Sequence, residues 1–336
     1  MVYPEIPPKM SAWIRRRRGA ARTSLELATS CPSPSLPGAS SADVVIRVSH
    51  VALQYNSELL FKILPVIPYV TPPIPELEFT GTVVASGSAA SLDVREVGTR
   101  VVAYQKIPDW VLFGRGALVE YVRVPSSQAA QLPELSDMAA MSGVLGSGST
   151  ALKIARTGSV GKLLVQVCKM RGAKVVGIAS GGNEDMVRGL GADESVDYRK
   201  HDPLPAYLAL RYAEEPFDFI LDCVGLRDLY VHSPAYLQPD GMVISIGSME
   251  GVGAFLRNWF FNTWWPVWLG GVPRRYVTFS TPPTKDDALV LIKMVEEDKL
   301  RVSVDSIFSM EDAISAYERL ATKRARGRVI VKVGKE

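Results

Sequence analysis

A chain of 336 residues, 47% hydrophobic and 22% charged, has the length of two domains and the make-up of an ordinary soluble globular protein. A formal net charge of +3 gives no reason to invoke a polyanion, so no nucleic-acid partner is expected. No run of about 18 apolar residues occurs, which excludes a membrane-spanning helix.

Four consecutive arginines, Arg15, Arg16, Arg17 and Arg18, lie between Glu5 and Glu26. Transit peptides avoid acids. The run therefore reads as an exposed strand end and turn rather than a targeting or nucleic-acid patch, and a cytoplasmic location is expected. Residues 11–14 and 24–27 read as short strands and 32–41 as a Pro/Ser/Gly loop. Over 44–51, Val44, Ile46 and Val48 alternate with Val45, Arg47 and Ser49, a strand period. A proline-rich loop at 71–75 precedes strands at 79–85, 100–103 and 118–124, punctuated by Gly81, Gly87 and Gly98. Many short strands with glycine turns predict a β-barrel-like domain.

Residues 136–141 and 150–156 read as helices. From Leu163 the pattern alternates helix and strand. The strands fall at 174–179, 195–198, 217–224, 242–247 and 276–280, a rhythm that predicts a parallel doubly wound sheet. Helices at 286–297 and 310–320 and a strand at 328–333 close the chain. The expected division is 1–140, completed by 282–336, and 141–281.

The stretch 157–198 carries the most information. In Thr157-Gly158-Ser159-Val160-Gly161, Gly158 and Gly161 let the backbone approach a pyrophosphate at the start of the following helix. Such a pattern is common at helix starts. Its context makes the reading, because a strand and a polar turn follow at the distance a nucleotide-binding unit requires. NAD binders place an acid about 20 residues beyond the glycines to hold the ribose 2′-hydroxyl. Here the turn is Ser180-Gly181-Gly182-Asn183 and the first acid is Glu184. NADP(H) is therefore the expected cofactor, with Arg188, Arg199 or Lys200 to neutralise a 2′-phosphate. The alternative is a plain helix cap at Ser180 or Asn183. Tyr198 reads as packing on the adenosine, or as ordinary strand burial. Gly225 and Gly247 stand at strand ends, where ligands of such sheets bind, and are expected to border the nicotinamide half.

Cys31, Cys168 and Cys223 are too dispersed for a disulfide framework or a metal knuckle, and only His50, His201 and His232 could add ligands. No metal is expected.

Taken in order, ADVVIRVSHVAL (42–53), FTGTVVASG (79–87), VGTRV (97–101), GALVEYVRV (116–124), GSTAL (148–152), the segment 161–198 and RARGRVIVKV (324–333) resemble the medium-chain dehydrogenase/reductase superfamily. The resemblance is to its zinc-independent quinone-oxidoreductase and enoyl-reductase branch, and to fungal zinc-type alcohol dehydrogenase-like members within it. It implies a GroES-like β domain built from both chain ends and a Rossmann domain. By the same resemblance Thr150 lies near the nicotinamide, Arg328 is a basic residue near the cofactor, and Gly158, Gly161, Ser180, Asn183 and Tyr198 bind its remaining parts. Where the family carries Asn-Pro, this chain has Gln54-Tyr55. Gln54 is then the candidate for orienting substrate and Tyr55 the candidate proton donor, against simple packing of a loop tyrosine.

The family places its first Rossmann strand between the positions of Thr150 and Gly161, and about fifteen residues are absent there from what is the central strand of a 3-2-1-4-5-6 order. Two inner strands should then lack a ladder partner. Three outcomes follow: a faulty or alternatively spliced product, another segment in the slot, or a sheet that closes up with a damaged cofactor site.

Residues 259–269, from Trp259 to Leu269, hold four of the six tryptophans. This segment reads as the wall of a pocket for a small apolar substrate, a homodimer interface, a peripheral membrane anchor, or a helix packed over the cleft. The function expected is zinc-free, NADPH-dependent reduction of an activated double bond in an enoyl, enone or quinone acceptor, in the setting of fungal secondary metabolism. The alternative is an impaired relative that acts by binding.

Overall fold

The structure, a computed structural model, describes residues 6–54, 57–64, 66, 73–154, 161–246, 252–278 and 281–334. The described strands are, in chain order, β1 (Lys9–Arg15), β2 (Leu25–Pro32), β3 (Asp43–Ala52), β4 (Glu78–Ser86), β5 (Arg100–Tyr104), β6 (Tyr121–Pro125), β7 (Ala129–Gln131), β8 (Val176–Ala179), β9 (Glu194–Asp197), β10 (Phe217–Asp222), β11 (Leu237–Ser245), β12 (Arg275–Thr278), β13 (Val304–Ser309) and β14 (Arg328–Lys332). Two units divide the chain: Met1–Ser149 with Pro282–Glu336, and Thr150–Thr281.

The first unit is built on a seven-stranded sheet in the order β13-β14-β3-β4-β5-β7, with β6 paired to β3. Strand β3 is its hub, antiparallel to β4, β6 and β14. Val44, Ile46 and Val48 enter the main core, and a register shift between Val48 and His50 turns Val51 into it as well. Val45 packs on the opposite face with Val84 and Ala85. Residues from both chain ends share this core: Trp13 donates its indole N–H to the Met310 carbonyl at 2.7 Å.

The arginine run is a strand end and bend, as expected, with Arg16, Arg17 and Arg18 exposed; Arg16 pairs with Glu26 at 3.0 Å and Arg17 donates to the Thr23 carbonyl at 2.7 Å. One part of the expectation needs correction: Arg15, at the end of β1, is buried and donates to the Leu64 carbonyl at 2.9 Å. A second correction concerns the 118–124 segment. Only the second half of the 118–124 segment is strand, since β6 begins at Tyr121.

The described strands of the second unit pair only in parallel, in two separate sheets: β8 with β9, and β10 with β11 and β12. No described strand lies between β8 and β10, and they do not pair with each other. An open hollow of about 1880 Å³ is lined by every residue of β8 and every residue of β10, with Leu164 and Cys168 of the helix Gly161–Met170. Strands at the centre of a parallel sheet are normally covered on both faces. Here Ile178 is 40% and Phe219 is 49% exposed. The sheet has therefore not closed over the gap, and no described segment occupies it. Cys223 is exposed just beyond β10 and lines this hollow.

Candidate active site

In the first unit three strand ends bring polar side chains together. The antiparallel register of β14 and β3 pairs Ile330 with Ala52, so Arg328 and Gln54, each two residues further out, fall at the same end. On the other side of β3, Ala52 pairs with Glu78. Glu78, 1% exposed, accepts from Gln54 Nε2 through Oε1 at 3.0 Å and from Arg328 Nη2 through Oε2 at 3.0 Å. Arg328 Nη1 also donates to Ser147 Oγ at 3.3 Å. Glycines make room for this pair. A Cβ on Gly146 would stand 1.9 Å from Glu78 Oε1, and one on Gly143 would stand 2.5 Å from Arg328 Nε.

A second acid lies two residues before Glu78. Glu76, also 1% exposed, has φ of +67°, a left-handed conformation unusual for a residue other than glycine, asparagine or aspartate. Its Oε2 accepts from the Gln54 backbone N–H at 2.9 Å and its Oε1 from the Tyr317 hydroxyl at 2.5 Å, with Ser57 as a further hydrogen-bond partner. Burial raises its carboxyl to about 7, against the hydrogen bonds that favour the ionised form, and the neighbouring charge of Glu78 adds to the rise. Burial, followed by the charge of Glu76, pushes the Tyr317 phenol well above the usual tyrosine range.

In the second unit most of the candidate nucleotide residues lie at a helix start or in turns that follow strands. Gly161 opens the helix Gly161–Met170 and Thr150 lies in the helix Leu145–Ile154. After β8, Ser180 leads into a short 3-10 turn, and Asn183 Nδ2 donates to Ser180 Oγ at 3.0 Å. Asn183 Oδ1 is buried with no protein partner, an acceptor suited to a ribose hydroxyl. Tyr198 follows β9, 44% exposed, with the Arg199 guanidinium over its ring at 5.7 Å. Polar turn, exposed phenol and guanidinium together fit the adenosine ribose end of a dinucleotide. One feature opposes a 2′-phosphate: a Cβ on Gly181 would stand 2.4 Å from Asp197 Oδ2, so this carboxylate reaches the turn from the neighbouring strand. Arg188 is held by Glu184 at 3.0 Å.

Gly225 takes φ of +89° in the turn after β10, where its N–H and that of Val224 donate to Asp222 Oδ1 at 2.8 and 2.9 Å. A side chain there would be strained. Tyr55, Gly158 and Gly247 lie outside the described residues. Glu76, Glu78 and Tyr317 were not singled out from the sequence. The signal was two acids at Glu76 and Glu78 beside the apolar start of β4, because a carboxylate entering a core strand must be paired.

The segment 259–269 is a helix, Val252–Trp264, followed by a 3-10 turn, Val267–Leu269. One face of the helix packs within the second unit, where Asn258 and Asn262 are buried and the Tyr230 hydroxyl donates to the Asn262 carbonyl at 3.2 Å, while its described aromatic side chains stay exposed. Trp264 is 65% and Trp268 is 81% exposed, with Trp259, Phe260, Phe261 and Trp265 also exposed. Among the described residues no helix is long and apolar enough to cross a membrane, and no three His, Cys, Asp or Glu side chains form a group able to hold a metal ion.

A β unit completed by the chain's end, with a parallel-stranded α/β unit inserted in it, is the architecture of a GroES-like and Rossmann-type oxidoreductase. The chain belongs to the medium-chain dehydrogenase/reductase superfamily. The family described as alcohol dehydrogenase GroES-like domain matches residues 40–134, and that described as zinc-binding dehydrogenase matches residues 190–331. The medium chain reductase pydE of Acremonium sp is 41% identical over 360 residues, covering 96% of this chain and 99% of the relative. Trans-enoyl reductase poxH of Penicillium oxalicum is 32% identical, covering 97% and 98%. Quinone oxidoreductase from Coxiella burnetii has the same fold, with TM-score 0.76 at 23% identity over 97% of this chain and 99% of that one. An alignment of 360 positions against 336 residues leaves at least 24 positions of the pydE comparison with no residue in this chain. Neither family match reaches residues 135–189, which include the short interval between Thr150 and Gly161.

Proposed function

We propose that the protein is an NADPH-dependent reductase of an activated carbon–carbon double bond, in an enoyl thioester, enone or quinone, working without zinc. The observation that carries this reading is the full-length likeness to a medium-chain reductase and a trans-enoyl reductase, in a chain whose candidate site offers an amide and a guanidinium. Family likeness supports a nicotinamide dinucleotide. The phosphorylated form is favoured by the acid-free turn 180–183 and by Arg199 beside it, although Asp197 limits that preference.

When bound, the cofactor supplies the hydride. Gly161, Ser180, Asn183, Tyr198 and Gly225 would hold it, joined by Gly158 and Gly247 from outside the described residues, with Thr150 and Arg328 assigned to its reactive end by the family likeness. Glu78 engages one N–H of the Gln54 amide, and an amide has a second. That second N–H would donate to the substrate carbonyl, drawing electrons from the double bond, and Glu78 would keep it aimed. Tyr55 would return the proton. The exposed aromatics between Trp259 and Leu269 would meet either a small apolar substrate or a second subunit.

Purified protein incubated with NADPH and an enoyl thioester, an enone or a quinone tests the proposal through the loss of reduced nicotinamide absorbance. Acceptor-dependent oxidation with substoichiometric zinc is expected, and Gln54→Ala should slow it by about 100-fold. Absence of oxidation with every acceptor, or activity only at stoichiometric zinc, would overturn it.

A further inference from the structure

Glu76 combines two unfavourable features at one position. Its backbone is left-handed, which an L side chain adopts only when the surroundings impose it, and its carboxyl is removed from water. A glycine would relieve both. What the glutamate adds is its set of partners: the Tyr317 hydroxyl from the helix Ala313–Ala321, Ser57 from the helix Ser57–Ile63, and the backbone N–H of Gln54 at the end of β3. Two acids, at Glu76 and Glu78, thus hold one residue, the first by its backbone and the second by its side chain.

We propose that Glu76 is a positioning residue for Gln54, fixing the backbone from which the Gln54 amide reaches substrate. The inference rests on the reading of Gln54 as the group that meets substrate. Among the described residues every partner of the Glu76 carboxyl is a donor or a hydroxyl, so the ionised form can accept from all of them at once. Once protonated, one oxygen carries its own hydrogen and the Gln54 N–H must compete for what remains. The hold on Gln54 is then strong when the carboxyl is ionised and weak when it is not. The titratable groups around it are Glu78, Tyr317 and Glu58, the last felt at Tyr317. Tyr317 remains a neutral donor because its own phenol is pushed up. Arg328 is directed to Glu78. With its carboxyl at about 7, Glu76 changes form across neutral pH.

The test uses Glu76→Gln, which keeps the shape and cannot ionise. Full-length protein labelled with 15N-glutamine reports the Gln54 amide shift against pH. In parallel, kcat/KM for an enone acceptor and the KM for NADPH are measured across the same range. In the unsubstituted protein the Gln54 amide should titrate with a midpoint near 7, and kcat/KM should rise through the same midpoint. In Glu76→Gln both profiles should be flat, with the KM for NADPH within about twofold. A Gln54 amide that fails to titrate in the unsubstituted protein, or titrates alike in both, overturns the inference. So does a kcat/KM profile that the substitution leaves unchanged. If no acceptor is reduced at all, it is the enzyme reading that fails, and the Gln54 amide titration alone decides whether Glu76 governs that backbone.

Discussion

Arg328 and Gln54 are 274 positions apart in sequence, yet both donate to the same carboxylate, at 3.0 Å to Glu78 Oε2 and 3.0 Å to Glu78 Oε1. The Arg328 and Glu78 side chains are 20% and 2% exposed, so removing one partner leaves a largely desolvated charge on the other. Glu78→Ala should destabilise the protein by about 3 kcal/mol in urea unfolding. Gly146→Ala should lower stability by about 1–3 kcal/mol through contact with Glu78 alone, since its Cβ would overlap Oε1. Unchanged midpoints would contradict this view of the cluster.

Stability should also depend on Glu76. Its carboxyl lies at about 7 in the fold against 4.5 as a free group, so the folded state binds the proton more tightly than the unfolded state. That contribution is complete below pH 4.5 and is lost as pH rises through 7. Relative to the unsubstituted protein, Glu76→Gln should therefore gain about 3 kcal/mol between pH 4.5 and pH 8. Parallel urea titrations at several pH values measure the difference. A difference constant with pH would mean that the carboxyl titrates alike in both states.

On the proposed reading of the 180–183 turn as the nucleotide turn, Asp197 sets how strongly it prefers a 2′-phosphate. Its carboxylate lies against Gly181 and accepts from the Arg199 N–H at 3.0 Å. Asp197→Asn should tighten NADPH by about 1 kcal/mol, roughly fivefold, and leave NADH nearly unchanged. Dissociation constants from nucleotide fluorescence give both values. An equal gain for the two nucleotides would place the phosphate elsewhere.

The aromatic segment gives a separate expectation. Trp264 and Trp265 are exposed on a unit that has other apolar surface open as well. Replacing both by alanine should change either the sedimentation of the protein or its range of acceptors. Unchanged sedimentation and kinetics would count against interface and pocket alike.

How far the sequence revealed this molecule follows from the range of the interactions. Strand β3 was legible because Val44, Ile46 and Val48 alternate with its other face, a local signal. Strand β13 was not, since Asp305 and Ser306 interrupt its apolar period and its place is fixed by pairing with β14. The gap beside β8 was legible as a spacing, too few residues between Thr150 and Gly161, and it stands in the structure as two sheets. The polar site was legible only in part. Gln54 and Arg328 could be named by resemblance, but their shared partner depends on a register that joins distant strands. The bond between Tyr317 and Glu76 spans 241 residues and the φ of Glu76 is set by tertiary contacts, so neither leaves a local pattern.

The split sheet bears directly on the central claim, that this is a reductase whose nucleotide unit has no described strand between β8 and β10. The facing edges of β8 and β10 have no ladder partner among the described residues. Ligand stabilisation grows with the ratio of ligand concentration to Kd, so weak binding should appear as a small shift on heating. The decisive measurement is a thermal melt, with and without NADPH, of the chain as it stands and of a version with an apolar strand inserted between Arg156 and Gly158. The account predicts a low Tm and a small NADPH shift for the first, and a higher Tm with a larger shift for the second. A high Tm and a large NADPH shift in the chain as it stands, unimproved by the insertion, would contradict it.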